Sequence, residues 1–283
     1  MMLYYFLLVI AALLFASQFL FHQKYQNACG MGWIAVLNFN IYSGIVGFML
    51  MWILGKGHLE FSWFSFGVAL MYALVNIIYN YASMKSFDTV NLSAYSMFAM
   101  LGGMLLPFGY GILWNGEPLT ARKIICGGII AVALLFTISG GQSKGKAPLY
   151  YLAVFVMNGM SGVLSAFHQS HSEVAVDSTS FMALTRIVTV AVCLVLQLAA
   201  VHKLTRISRK SLIYSAGFAV FCGMGNLFTL IALTKLPASV QYPILTGGVI
   251  VFSTAISAIR KEKLTAKQVV AAVLALSATM IIM

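Results

Sequence analysis

Charge is scarce in this chain. Asp, Glu, Lys and Arg make up 8% of its 283 residues, against roughly 25% in soluble domains. So few charges cannot cover a water-facing surface, and this excludes a soluble globular domain. Acids are scarcer still. There are six, Glu60, Asp88, Glu117, Glu173, Asp177 and Glu262, all in loops or near the ends of apolar runs. No carboxylate waits at mid-membrane for a cation. Cys29, Cys126, Cys193 and Cys222 lack metal-ligand or disulfide spacing, and read as small apolar core residues. There is no Asp-rich pair, metal-spaced His set or Gly-x-Ser-x-Gly, which argues against a membrane-embedded transferase or hydrolase. His168, His171 and Glu173 form the single cluster of that sort. No cofactor is expected.

Apolar sequence is abundant, at 61% of the residues. A spanning helix needs about 20 mainly apolar residues. Ten such runs can be drawn, over 2–21, 31–54, 61–84, 91–113, 121–140, 148–169, 179–201, 211–234, 238–259 and 265–283. They are continuous rather than alternating, so they predict helices and not barrel strands. The first run lacks a basic leader and recurs in the second half, so it reads as a span rather than a signal peptide. The predicted fold class is an all-α integral membrane protein with ten transmembrane helices.

The chain repeats itself at about half its length. Leu3-Tyr4-Tyr5 leading to Phe21-His22-Gln23 returns, 146 residues on, as Leu149-Tyr150-Tyr151 leading to Phe167-His168-Gln169. Asn76 with Lys85 returns as Asn226 with Lys235, at an offset of 150. Gly102-Gly103 followed by Glu117-Pro118-Leu119-Thr120 returns as Gly247-Gly248 followed by Glu262-Lys263-Leu264-Thr265, at an offset of 145. Residues 1–141 and 148–283 then form two five-span halves, joined by a polar linker at 142–147. An odd number of spans per half forces the halves into opposite orientations, the inverted-repeat design of many secondary transporters.

Twelve of the 17 Lys and Arg lie in loops after odd-numbered spans and four in loops after even-numbered ones. The positive-inside rule places the odd loops in the cytoplasm and both termini outside. The net charge of +11 thus reflects topology, and nucleic acid is not an expected partner.

Polar groups inside spans are the candidate site residues. Arg186 lies about a third of the way along the seventh run; a guanidinium there must find an acceptor, either a substrate anion or a pair such as Glu173 or Asp177. Asn76 and Asn226 are repeat mates, and Asn80 lies one turn beyond Asn76. Asn158, Ser161 and Ser165 share a helix face, and Asn38 and Asn40 sit in the second run. Gly102-Gly103 and Gly247-Gly248 interrupt corresponding runs, a pointer to a site at the repeat interface. Pro107 adds a kink to the fourth run. Tyr72, Tyr79, Tyr95, Tyr242 and Trp33 can line a path between the halves, while Trp63 and Trp114 look like interfacial belt residues. Thr120 and the Thr265–Gln268 pair read as helix caps.

The doubled junction carries a resemblance. Gly116-Glu117-Pro118-Leu119-Thr120 with Gly127-Gly128 downstream, and Lys261-Glu262-Lys263-Leu264-Thr265, resemble the drug/metabolite transporter superfamily, in particular its EamA-like branch. In the second copy Lys261 replaces the glycine and Ala271-Ala272 replace the glycine pair. The resemblance covers the whole chain. It implies export or exchange of small metabolites or drugs by alternating access, through a cavity lined mainly by spans 1, 3, 4, 6, 8 and 9. Small multidrug members depend on a glutamate in their first helix. The first span here has Ser17 and Gln18 but no acid, which argues against a proton-coupled cation exporter of that kind.

The expected protein is therefore a multi-pass transporter of a bacterial plasma membrane. Its cargo is a small molecule, an amino acid or another carboxylate; the competing reading is a cationic multidrug exporter. The expected substrate-binding residues are Arg186, Asn76, Asn226, Tyr95, Tyr242, Asn158, Gln18 and Tyr79. Coupled protons, should they be used, fall to His22, His168 or His171. The favoured reading of Phe-His-Gln is nonetheless a helix end meeting lipid headgroups. Monomer and homodimer both stay open.

Overall fold

Without water, backbone N–H and C=O groups must pair within their own segment, so a continuous apolar run becomes a helix. The computed structural model describes residues 2–90, 92–138, 147–201, 208–262 and 264–282. They form α1 (Met2–Cys29), α2 (Trp33–Leu54), α3 (Trp63–Ser86), α4 (Leu92–Leu113), α5 (Ala121–Ile138), α6 (Ala147–Ser170), α7 (Ser178–Val201), α8 (Arg209–Leu233), α9 (Ala238–Ile259) and α10 (Ala266–Ile282). Residues 142–146 of the predicted linker, Asn91 and the side chain of Gln268 lie outside the described residues.

Eight helices, α1–α4 and α6–α9, are long and apolar enough to cross a membrane. The outward faces are apolar too: Phe6, Met49, Met71, Ile78, Val195 and Val220 are exposed, as a lipid-facing surface requires. Trp63 and Trp114, 79% and 75% exposed, sit at helix ends, where an aromatic belt lies.

Local chemistry explains the ends. Ser62 caps α3 by accepting from Ser65 N at 3.1 Å. Asp177 Oδ1 caps α7, accepting from Thr179 N at 2.7 Å and Ser180 N at 3.1 Å. α1 runs to Cys29, eight residues past its predicted end, because Tyr25 and Gln26 still bury a face; Gly30, at φ +83°, breaks it. Gly116 turns the α4–α5 junction at φ +66°. In the matching α9–α10 junction Lys261 takes the same left-handed conformation at φ +57°. The two junctions thus share a left-handed turn, one on glycine and the other on lysine.

Two separate five-helix bundles are not what forms. α1 packs chiefly on α8 and α9 rather than on helices of its own half, and α6 packs on α3 and α4. α2 pairs with α7, α4 with α9 and α5 with α10. Advancing every helix number by five maps α1 on α8 to α6 on α3, and α1 on α9 to α6 on α4, while the three remaining pairs map onto themselves. The halves interleave, and what they enclose is bounded by both.

Backbone proximity makes this possible. At Gly102 of α4, an added Cβ would stand 1.9 Å from Phe155 O of α6. At Gly159 it would stand 2.6 Å from Gly102 O. These glycines let two backbones touch, the role of small residues between membrane helices.

Candidate functional site

Between the interleaved halves lies a cavity of about 90 Å³. α1, α3, α4, α6, α8 and α9 line it. α3 contributes Tyr72, Asn76 and Tyr79; α6 contributes Asn158, Ser161 and Ser165; α8 contributes Cys222, Asn226 and Thr229. These spacings of three and four put each set on one helix face. α9 adds Tyr242 and Thr246, and α1 adds Phe15 and Gln18. Carboxamides, hydroxyls and three phenol rings thus surround the space, and no acidic side chain is among the described residues that line it.

Hydrogen bonds hold much of this wall. Asn158 Nδ2 donates to Ala99 O at 2.6 Å, tying α6 to α4. Tyr242 OH donates to Gly162 O at 3.1 Å. Asn80 Nδ2 donates to Asn40 Oδ1 at 2.8 Å, and Asn76 Oδ1 stands 3.4 Å away on its other side. Asn226 Nδ2 donates to Cys222 O at 2.9 Å and to Cys222 Sγ at 3.2 Å. Gln18 Oε1 is buried without a partner among the described residues. Asn38, by contrast, accepts from Gln197 Nε2 at 3.1 Å and joins α2 to α7, so it serves helix association.

Six of the eight predicted site residues, Asn76, Asn226, Tyr242, Asn158, Gln18 and Tyr79, lie on this cavity. Tyr95 does not. It is 1% exposed and stands behind Tyr79, its OH 2.7 Å from Tyr79 OH and 2.7 Å from Ser83 Oγ. α4 meets the cavity through Met100 and Gly103, more than a turn beyond Tyr95, whose hydroxyl is held by Tyr79 and Ser83 instead. Trp33 also lies away from the cavity, partly exposed and packed edge-on against Tyr81.

Arg186 lies beside the cavity and not in its lining. It is 4% exposed, and its stem crosses Gly47 of α2, where an added Cβ would meet Cγ, Cδ and Nε at 3.2–3.3 Å. Nη2 donates to Cys222 Sγ at 3.3 Å. Of the two expected carboxylate partners, Asp177 is engaged elsewhere: it caps α7 through Oδ1. Among the described residues no carboxylate pairs with this guanidinium.

The histidines overturn the headgroup reading. His22 and His168 are both 0% exposed. His22 stacks on Phe39 with centroids 4.5 Å apart, and Phe87 and Phe218 close the other sides at 5.3 Å. His168 stacks on Phe181 at 3.7 Å and meets Ser65 Oγ at 2.9 Å through Nε2. α1 continues past His22 for two turns, so its ring has protein on every side.

Cys222, Thr229 and Thr246 line the cavity without having been singled out in the sequence. Cys222 reads as apolar filler, yet it touches both the cavity and Arg186. A signal did exist. α3 begins at Trp63 and α8 at Arg209, 146 residues apart, and they end at Ser86 and Leu233, 147 apart. By helix position the counterpart of Asn76 is therefore Cys222, not Asn226. The pairing at offset 150 slips one turn, which rotates a helix by only about 40°, so Cys222 and Asn226 share the wall.

The junction acids are structural. Glu117 Oε2 accepts from Ser239 N at 3.2 Å, at the N-terminus of α9. Glu262 instead pairs with Arg260 at 2.9 Å, and Arg260 Nη1 donates to Gln23 Oε1 at 2.8 Å, binding the end of α9 to α1.

No family model and no curated protein matches this chain. A solved structure described only as "Crystal structure of protein" is similar to it, with 15% identity, a TM-score of 0.71, and coverage of 98% of this chain and 96% of that one. At that identity the likeness speaks for the fold alone, and it extends over all ten helices.

Proposed function

We propose that this chain is a secondary transporter of the drug/metabolite transporter type, EamA-like, that exports or exchanges a small organic metabolite by alternating access. Ten helices cross the membrane as two inverted five-helix repeats, and the protein is a multi-pass component of a bacterial plasma membrane. α5 and α10, of 18 and 17 residues, are the shortest spans and pack on each other. The observation that carries the reading is the polar cavity enclosed between corresponding helices of the two halves. The packing pattern that maps onto itself on advancing five helices supports the repeat. An odd number of spans per half supports its inversion.

Alternating access needs a site that either half can expose, and a cavity bounded by α1, α3 and α4 together with α6, α8 and α9 meets that need. Cationic drugs fit it less well, because no described lining residue is acidic. Of the histidines, His22 adjoins the site through Phe218, which lines the cavity, but phenyl rings wall its imidazole on three sides and disfavour a charge there. An enzyme would need a nucleophile with a base beside the cavity, and the lining pairs amides with hydroxyls instead.

Reconstitution tests the reading. Proteoliposomes preloaded with candidate metabolites should accelerate uptake of the same labelled compound, and Asn76→Ala with Asn226→Ala should suppress it. Absence of counterflow for every solute tried, in protein that remains folded, would overturn it.

A further inference from the structure

Arg186 is held in an unfinished way. Nε and Nη2 form one edge of a guanidinium, the edge that gives two parallel N–H bonds to paired oxygens. Here Nη2 rests on Cys222 Sγ at 3.3 Å, and Nε has no partner among the described residues. A second donor, Asn226 Nδ2, reaches the same sulfur at 3.2 Å. Sulfur is a weak acceptor. Nε is thus left open and Nη2 rests on a weak acceptor, while Asn226 Nδ2, anchored on Cys222 O at 2.9 Å, shares the same sulfur; Cys222 lies on the cavity wall. A cation at such depth with no anion beside it is costly, and such residues mark substrate pathways.

We propose that this edge of Arg186, together with the Asn226 amide, docks the carboxylate of a small monoanionic substrate, and that Cys222 holds the place while the site is empty. The inference rests on the transport reading above and names its cargo. When substrate binds, the Cys222 side chain turns aside. The carboxylate oxygens accept from Nε and Nη2, and Asn226 Nδ2 gives a third bond. No covalent bond forms or breaks. The charge count follows from the wall: Arg186 is the sole cation adjoining the cavity among the described residues, so a dianion would bury one charge without a partner. The rest of the cargo meets the rings of Tyr72 and Tyr242 and the amide of Asn76.

Cys222 is its own reporter. In the full-length chain with Cys29, Cys126 and Cys193 replaced by alanine, methanethiosulfonate reagents should label Cys222. The anionic ethylsulfonate reagent should react about tenfold faster than the cationic ethylammonium reagent, as expected beside an unpaired cation. Lactate or benzoate should slow labelling about tenfold, while lactamide and benzamide leave it unchanged. Methyl phosphate should protect less than the carboxylates. Arg186→Lys, which keeps the charge and loses the fork, should weaken carboxylate protection about tenfold, the worth of one charged hydrogen bond. The proposal falls if the cationic reagent reacts as fast as the anionic one, if an amide protects as well as its carboxylate, if no carboxylate protects, or if methyl phosphate protects best. Counterflow separates the two readings: transport of neutral solutes without preference for carboxylates removes the anion site and leaves the transporter standing.

Discussion

α1 and α6 hold corresponding places and offer the cavity different chemistry. Where α6 carries Asn158, Ser161 and Ser165, α1 carries Ala12, Phe15 and Phe19, each 146 residues earlier. Yet both make the same helix contact. An added Cβ at Gly103 would meet Asn158 Nδ2 at 2.5 Å, and one at Gly248 would meet Ala12 Cβ at 2.8 Å; these two glycines are 145 apart. The close approach is present in both halves, while the side chain that meets the glycine differs. A glycine leaves room for whatever faces it, an amide in one half and a methyl in the other. The cavity wall follows, since the amide reaches the cavity and the methyl does not.

The sharpest way to break this comparison is to fill the seams. Gly102→Ala puts a methyl 1.9 Å from a backbone oxygen, which cannot swing away. It should cost about 3 kcal/mol or more, at the upper end for overpacking. Gly248→Ala meets a single methyl and should cost about 1–2 kcal/mol. Thermal unfolding in detergent reads both, and equal shifts would mean the two seams are not built differently.

Exchanging the walls comes next. Asn158→Ala gives α6 the residue of α1. It removes a bond to Ala99 O and one cavity amide, and should lower counterflow about tenfold, while stability changes by roughly 1 kcal/mol. Ala12→Asn should destabilise through crowding at Gly248 and add no transport. Should Asn158→Ala transport normally, the polar side of the cavity is only glue between α6 and α4.

A smaller effect separates the junctions. Lys261 carries the left-handed conformation that Gly116 carries in the first half. Lys261→Gly should relieve that strain and stabilise the protein by about 0.5–1 kcal/mol, less than the full left-handed penalty because glycine loses more backbone freedom. A loss of melting temperature would show that the lysine side chain contributes more than the strain costs.

The smallest expected difference lies in the junction acids. Glu117→Gln removes a charge from the N-terminus of α9 and should cost about 0.3–1 kcal/mol. Glu262→Gln loses a pair with the partly exposed Arg260 and should cost about 0–0.5 kcal/mol. Raising salt should shrink both, and a larger loss at Glu262 would reverse the ranking of the two ends.

Much of the candidate site was readable because an amide or phenol at membrane depth has nowhere to point except inward. That reasoning brought Asn76, Asn158, Asn226 and Tyr242 into view. It failed where depth along a helix decides. Tyr95 lies more than a turn before the α4 residues that reach the cavity, and its hydroxyl goes to Tyr79 and Ser83. It failed again where a residue has two plausible homes. The rings of His22 and His168 suit headgroups and aromatic pockets alike, and only the packing of Phe39 and Phe181 chooses between them. Cys222 was passed over because a thiol costs little to bury, so its type alone gives no warning.

Composition and run length by themselves determined an all-helical membrane chain, since lipid leaves the backbone no partner but itself. The doubled motifs predicted corresponding helices, and α1 and α6 pack against corresponding neighbours. What only the tertiary structure decided is which faces meet. A helix face is a local property, periodic in the sequence, but its partner is chosen by packing among residues more than a hundred positions away. Glycine contacts set α4 against α6, α1 chose α8 over its own half, and Arg186 came to rest on a sulfur instead of a carboxylate.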